Sequence, residues 1–327
     1  MPLTRATRLL LIALPLGAAC SEATLPADTT GFTGIHPDGV LGSRVTGFSG
    51  RPFGVRVSAK GLVYVTQQDA NSVVGFTLAA PTSLLPAIAV GDDPGEVVFN
   101  RAGTAAYVSA YYGGGVHVID VATGKQTSTI PISSNAYRLA LSSDEGRLFV
   151  STVNGALYAV PTRGLTVTTS VQLGGALQGL ALSRSGQTLF VASTQGVVWR
   201  VDPATLAVLS SKPVAGALQD VAVSPDEREL YVADEAGLVH VLDASSLAEV
   251  ARIDLSPRRP FGLAVTPDGT QLYVTSPATG EVAIVDARTR ATIRTLTVSG
   301  LPRRVAFSAD GRTAVVANEG NWVDVIK

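Results

Sequence analysis

Asp, Glu, Lys and Arg make up only 16% of the 327 residues. Charged side chains are therefore scarce, and each one is a candidate for a chemical role. Arginines offer guanidinium groups to an anion, whereas carboxylates and amides offer the oxygen ligands that a calcium-type cation prefers. The candidates for anion binding are Arg56, Arg138, Arg303 and Arg304. The candidates for metal binding are Glu96, Asn154, Asp220 and Asp234, and no spacing among them selects a metal site over scattered polar loops.

Residues that support covalent or cofactor chemistry are scarce. The chain has one cysteine, Cys20, and three histidines, so a thiolate cluster or a multi-histidine metal site is not expected. No Ser-His-Asp arrangement, nucleophile elbow, phosphate loop or cofactor fingerprint is present in the sequence. The sequence therefore predicts no cofactor and favours a protein that is not an enzyme.

An aromatic loop provides a different kind of candidate. Tyr111 and Tyr112 precede three consecutive glycines, and tyrosines on such a mobile segment suit contact with a sugar or a peptide. A simple turn with exposed tyrosines is the alternative. Nucleic acid is not an expected partner, because the formal net charge is -1 and no basic patch gathers phosphates.

The elements that position these residues follow from a repeat. Seven apolar alternations of the GLAVT type start 41 or 42 residues apart, the first at residue 52 and the last at residue 302. A turn follows each of these first segments, and it often contains Asp-Gly. The second segment of the unit resembles LYVT, the third resembles EVAIVD, and the fourth is rich in β-branched residues. Four short strands per unit at this period predict an all-β fold, a seven-bladed β-propeller of four-stranded antiparallel blades.

The two ends of the repeat predict how the ring closes. The seventh unit has three strands before Lys327, and residues 40–47 resemble the missing fourth strand. We therefore expect an N-terminal strand to complete the last blade, with the propeller spanning 40–327. The middle residue of the first strand is alanine in five of seven units, which predicts tight packing near the axis. Arg56 replaces that alanine in the first unit.

The YVT triplets, the period and the Asp-Gly turns make residues 40–327 resemble the YVTN-type β-propeller repeat proteins. This resemblance is specific for the fold and implies no particular activity. Lactonase-like propellers, which bind calcium through carboxylates and amides near the channel, supply the alternative function.

A propeller places the loops between fourth and first strands, and those between second and third strands, around one mouth of the central channel. We call this side the loop face and expect a ligand there, because binding residues concentrate on loops held by a rigid scaffold. The ligand-binding candidates are Arg56, Glu96, Tyr111, Tyr112, Tyr137, Arg138, Asp220, Arg303 and Arg304. For Arg56 the alternatives are an ion pair across the channel, with Glu96 or Asp220, and an anion site.

The N-terminus predicts export. Arg5 and Arg8 precede the apolar run LLLIALPL, and small residues lead to Cys20. This pattern resembles a bacterial lipoprotein signal over 1–19, with Cys20 as the lipidated residue, although Gly17 stands where such signals usually have leucine. An ordinary secreted protein with a free cysteine is the alternative. Residues 20–39 are polar and rich in Thr, Pro and Gly, which predicts a flexible tether.

Together these features predict a monomeric propeller in the bacterial cell envelope, on the periplasmic or surface side of the outer membrane. It would touch the membrane through its lipid anchor only and would act as a binding or interaction scaffold. Its partner would be a protein, a peptide or an envelope polymer. The alternatives are a metal-dependent, calcium-type hydrolase and a redox partner, and the scarcity of histidine speaks against the second.

Overall fold

A computed structural model describes residues 35–133 and 135–327. These residues form seven four-stranded antiparallel sheets, and no helix is present among them. Each sheet is one blade, and in six of the blades the four strands follow one another in the chain. The prediction of a seven-bladed β-propeller is confirmed.

The strands have the following bounds in chain order, with β1 belonging to the last blade. It spans Leu41–Thr46. Blade 1 contains β2 (Pro52–Val57), β3 (Leu62–Gln67), β4 (Ser72–Thr77) and β5 (Ile88–Ala89). Blade 2 contains β6 (Pro94–Phe99), β7 (Ala105–Ala110), β8 (Gly115–Asp120) and β9 (Lys125–Pro131). Blade 3 contains β10 (Ala136–Leu141), β11 (Arg147–Thr152), β12 (Ala156–Pro161) and β13 (Thr169–Gln172).

The remaining blades repeat this order. Blade 4 contains β14 (Leu177–Leu182), β15 (Leu189–Ser193), β16 (Val197–Val201) and β17 (Val208–Pro213). Blade 5 contains β18 (Leu218–Val223), β19 (Glu229–Asp234), β20 (Leu238–Asp243) and β21 (Glu249–Asp254). Blade 6 contains β22 (Leu263–Val265), β23 (Gln271–Ser276), β24 (Glu281–Asp286) and β25 (Thr292–Thr297). Blade 7 contains β26 (Pro302–Phe307), β27 (Ala314–Asn318) and β28 (Trp322–Ile326).

Ring closure joins the two ends of the chain. β1 pairs antiparallel with β28, so the order of strands in blade 7 is β26, β27, β28 and β1 from the axis outward. Val40 and Lys327 extend this pairing with reciprocal backbone hydrogen bonds of 2.9 and 2.8 Å. Val45 is buried between blades 7 and 1, which adds a hydrophobic contribution to the closure. The predicted closing strand over 40–47 is confirmed at Leu41–Thr46.

The hydrophobic core is divided among the blades. Seven clusters of buried Val, Leu, Ile, Ala and aromatic residues lie between neighbouring blades, one for each pair in the described part of the chain. The alternation of the second and third strands explains this arrangement, because successive side chains point to opposite faces of a blade. Each blade therefore packs on two neighbours, and each face of the sheet is apolar.

Polar turns hold the first and second strands in register. In blade 6, Thr266 donates to Asp268 at 2.5 Å, and Asp268 accepts the backbone N–H of Thr270 at 3.0 Å. Gly269 follows with a φ of 75°, which a side chain rarely adopts. The Asp-Gly turns of the sequence are therefore structural, and they stand at the end of the propeller opposite the loop face.

The predicted signal over 1–19, Cys20 and most of the predicted tether lie outside the described residues. The last part of the tether is described and contacts blade 6: His36 lies 3.1 Å from the side chain of Gln271, and the carbonyl of Gly39 accepts a hydrogen bond from Arg294 at 3.0 Å. The described ranges contain no helix of the length and hydropathy needed to cross a membrane.

Candidate functional site

The innermost strands carry a bulge at the same place in most blades. The pairing of β6 with β7 shifts between Pro94 and Val97, and that of β26 with β27 shifts between Pro302 and Val305. Shifts at the equivalent place occur in blades 1, 3, 4 and 5. A bulge inserts one extra residue into a strand and redirects its side chains. Two consecutive side chains at the bulge therefore need not point to opposite faces of the blade, as they do in a regular strand.

Hydroxyl groups of the second strands fix these bulges to the next blade. Ser109 accepts the N–H of Glu96 at 2.9 Å and donates to the carbonyl of Tyr137 in blade 3 at 2.7 Å. Thr275 accepts the N–H of Gly262 at 2.8 Å and donates to the carbonyl of Arg303 in blade 7 at 2.6 Å. The threonine of the YVT triplet therefore joins adjacent blades and is not a catalytic group.

The bulged position holds either a glycine or a charged residue. A Cβ on Gly54 would collide with the carbonyl oxygen of Gly95, and one on Gly262 would collide with that of Arg303. Glycine is required at these two places because the neighbouring backbone approaches so closely. The equivalent residues of blades 2, 3, 5 and 7 are Glu96, Arg138, Asp220 and Arg304, and their side chains converge on the axis.

These four residues form the axial ion cluster. Arg138 contacts Glu96 with one nitrogen and Asp220 with the other, the second contact at 2.8 Å. Arg304 contacts the other oxygen of Asp220, also at 2.8 Å. Burial opposes the charge of Arg138, yet Asp220 and Glu96 outweigh that effect and raise the pKa of its guanidinium. Arg138 therefore stays charged, and the carboxylates of Glu96 and Asp220 pair its guanidinium on two sides.

Aromatic rings close the channel on the loop-face side of the cluster. Phe53, Tyr137 and Phe261 are buried and meet edge to face, with ring centroids 6.2 and 6.0 Å from Phe53; we call them the aromatic plug. The guanidinium of Arg304 lies 4.8 Å from the centre of the Phe261 ring, within the range of a cation–π contact. Within residues 35–133 and 135–327, these buried rings therefore cover the centre of the loop face.

A cavity of about 580 Å³ lies on the other side of the axial ion cluster. The first strands of all seven blades line it, and its lining extends to the turns at Ser58, Asn100, Pro225 and Pro267. Alanines 140, 181, 222 and 264 are in this lining, so the prediction that small residues pack tightly at the axis is wrong for these positions. Seven blades leave space at the axis that alanine side chains do not fill.

The sequence-predicted ligand residues divide among these layers. The plug buries Tyr137. The axial ion cluster buries Glu96, Asp220 and Arg304, and it leaves only a small part of the Arg138 side chain exposed. Arg56 projects into the cavity, with the expected contact to Glu96 present at 3.5 Å. The residues that remain on the loop face are Tyr111, Tyr112 and Arg303.

The exposed part of the loop face is anchored to the plug. Tyr111 is partly buried against it, and Tyr112 meets Tyr111 edge to face at 4.6 Å while remaining 70% exposed. Arg303 lies 4.6 Å from the centre of the Phe261 ring and donates to Glu319 at 2.7 Å. An exposed tyrosine and a fixed arginine thus flank the same rigid aromatic base.

Three of the four candidate metal ligands are engaged in other contacts. Guanidinium groups occupy Glu96 and Asp220, as described above. Asp234 accepts the N–H groups of Ala217 and Ala236 and lies 3.3 Å from His240, and Asn154 is exposed. Within residues 35–133 and 135–327 no group of three His, Cys, Asp or Glu side chains is placed to hold a metal ion.

Sequence reasoning missed the plug as a unit. A signal was available, since an aromatic residue stands at the second position of the first segment in blades 1, 3 and 6. Phe53, Tyr137 and Phe261 are those three residues, and a ring of equivalent positions brings them together at the axis. Their burial could not be deduced from a strand pattern in which that position faces the loops.

Comparison with known proteins supports the fold and leaves the activity open. Residues 219–326, about a third of the chain, match the family model described as "Choice-of-anchor I domain". A solved structure of Kuenenia stuttgartiensis hydrazine synthase is 20% identical, with a TM-score of 0.79 over 86% of this chain and 97% of that one. Among curated proteins, no sequence matches significantly. At this identity the structural likeness concerns the fold alone.

Proposed function

We propose that this protein is an exported, envelope-anchored binding scaffold that recognises a protein, a peptide or an envelope polymer on its loop face. The observation that carries the proposal is Tyr112, which is 70% exposed yet braced by Tyr111 on the aromatic plug. Exposed aromatic and arginine side chains held on a rigid base are the residues that dominate binding energy at interfaces. The base here also includes Arg303.

The shape of the loop face favours a macromolecular partner over a small molecule. In the described residues the plug covers the centre of this side, which therefore offers a broad surface to a partner. A surface binds through many moderate contacts around a few anchors, which suits a protein, peptide or polymer chain. The YVTN-type repeat resemblance agrees with a scaffold role, since that group shares a fold without sharing one activity.

Anchoring in the envelope is proposed from the N-terminal pattern, with Cys20 as the lipidated residue. The description of the matched family as a choice-of-anchor domain is consistent with a protein held at the cell surface or exported. Labelling with a radioactive fatty acid tests the anchor: the wild type should incorporate label and sediment with membranes, and Cys20→Ser should do neither. Label retained by Cys20→Ser would exclude lipidation at this cysteine.

Cross-linking in cells tests the binding surface. A photoreactive amino acid replaces Tyr112 in one variant and Val250, an exposed residue of the outer strand β21, in the matched control. We expect a discrete adduct from position 112 that is missing from position 250. Equal adducts from both positions, or adducts from position 250 alone, would argue against the loop face.

The hydrolase alternative receives no specific support. Its metal candidates Glu96 and Asp220 are bound by Arg138 and Arg304, and a cation at that place would have to displace a guanidinium. The proposal therefore keeps the scaffold role, and the test for the alternative is a response of stability to calcium, given in the Discussion.

A further inference from the structure

The axial cavity has the dimensions and the lining of a small-molecule site. Its volume of about 580 Å³ lies within the range of ligand pockets, which runs from about 300 to 1,000 Å³. Apolar side chains form much of its wall, among them Leu139, Leu141, Leu180, Leu182 and Val223. The axial ion cluster forms its floor, and Ser58, Asn100 and Arg101 lie at the turns, so the apolar wall is bounded by a polar group at each end. That division suits a ligand with a polar head and an apolar body.

The charges along the axis do not balance. Three guanidiniums, those of Arg56, Arg138 and Arg304, face the two carboxylates of Glu96 and Asp220. The two oxygens of Asp220 each take one guanidinium at 2.8 Å, and one oxygen of Glu96 takes Arg138. At the cluster end the guanidiniums therefore exceed the carboxylates by one, and Arg101 adds a further cation where the cavity meets the turns. An anion is the ligand that such a surplus attracts.

Arg56 carries this surplus. Its contacts are long, 3.5 Å to Glu96 and 3.4 Å from Nε to the carbonyl of Val97, and its side chain is 42% exposed. Arg138 and Arg304, in contrast, are held at short range and largely buried. In the other six blades the equivalent residue is alanine or valine, so Arg56 is an addition to the repeat and not a requirement of the fold. A guanidinium with donors to spare binds a carboxylate through two parallel hydrogen bonds.

We propose that the axial cavity binds a small organic carboxylate, with its carboxylate group on Arg56 and its apolar body against the alanine and leucine side chains of the wall. The ligand reaches the cavity from the turns at Ser58, Asn100 and Pro267, on the side opposite the loop face. The one guanidinium in excess at the cluster end, that of Arg56, matches a single carboxylate group. This site is independent of the partner surface proposed above, because the plug and the ion cluster separate the two.

Calorimetric titration of the folded chain tests the proposal with defined probes. Octanoate is the main probe, octanamide is its neutral match, and inorganic phosphate tests for a general anion site. We expect one octanoate to bind per chain and octanamide to bind at least tenfold more weakly. No octanoate binding at millimolar concentration, equal binding of octanamide, or tighter binding of phosphate would each overturn the carboxylate assignment.

Variants locate the site. Arg56→Ala gives blade 1 the alanine that most other blades have, so we expect it to fold and to bind octanoate at least tenfold more weakly. Ala222→Leu narrows the cavity without altering Arg56, and it should also weaken the binding of octanoate. Arg259→Ala, at an exposed position of the loop face, is the matched control and should bind octanoate as the wild type does. Octanoate binding that survives Arg56→Ala and falls with Arg259→Ala would place the ligand outside the cavity.

Discussion

Asp220 is the residue whose loss should harm the propeller most directly. Its carboxylate accepts Arg138 and Arg304 at 2.8 Å each, the N–H of Val221 at 3.0 Å and the N–H of Leu263 in blade 6 at 3.1 Å. Asp220→Asn keeps the shape but removes the negative charge and turns an amide N–H₂ group toward a guanidinium. Two buried cations would then share the single carboxylate of Glu96.

The magnitude follows from the burial of the partners. Breaking a buried ion pair by removing one partner costs about 3–5 kcal/mol, because the remaining charge is left without compensation. An unfolding entropy of about 2.1 cal/mol/K per residue over the roughly 290 residues of the propeller gives about 0.6 kcal/mol/K, so Asp220→Asn should melt roughly 5–8 °C below the wild type. The matched control is Glu235→Gln, which breaks an exposed pair with Arg259 and should cost at most about 1 kcal/mol.

Scanning calorimetry and urea unfolding provide the comparison, and circular dichroism shows whether the variant retains its β structure. We expect a large loss of stability for Asp220→Asn and a small one for Glu235→Gln. Equal shifts for the two variants, or a shift below about 2 °C for Asp220→Asn, would refute the claim that a buried ion cluster stabilises the axis.

Three further predictions concern the ring, the response to acid and the response to calcium. Deleting residues 40–47 removes β1 and uncovers the edge of β28, so the melting temperature should fall by many degrees. An unchanged melting temperature would show that β1 does not stabilise the closed ring. Glu249 has a pKa lowered to about 2 from 4.5, first by the hydrogen bond from Arg252 and then by the one from His240. A lowered pKa contributes stability above pH 4.5 that is lost as the pH falls toward 2, so Glu249→Gln should flatten the acid limb of the stability curve. Because this group is partly exposed, the difference should be about 1 kcal/mol or less, and identical acid limbs would contradict it. Adding calcium or a chelator should leave the melting temperature unchanged, whereas a rise with calcium would favour the hydrolase alternative.

Much of the fold could be predicted from the sequence because a propeller repeats one local pattern. The period of 41 or 42 residues, the alternation within strands and the Asp-Gly turns each recur. A strand that is hard to assign in one blade can therefore be assigned by comparison with the other blades. Ring closure was predictable for the same reason, since residues 40–47 match the fourth strands of other blades. The interior clusters between blades follow from strands that are apolar on both faces.

The candidate site was less predictable because it depends on departures from the repeat. Tyr137 and Arg304 were expected at an open mouth, but the bulges in β10 and β26 redirect them into the plug and the ion cluster. The alternation of apolar and polar residues along a strand does not reveal where a bulge lies. A shift of one residue in the pairing of the strands changes which side chain points to the axis. The width of the channel is likewise a property of seven assembled blades, so the alanines of the first strands gave no sign of a cavity.

We propose the loop face as the partner-binding surface, isolated from the axial cavity by the plug. A binding isotherm of the cross-linked partner, once purified, compares the wild type with Tyr112→Ala/Arg303→Ala and with Arg56→Ala. We expect at least a tenfold loss of affinity for the double variant and wild-type affinity for Arg56→Ala. Wild-type affinity for the double variant, with loss for Arg56→Ala, would contradict this proposal.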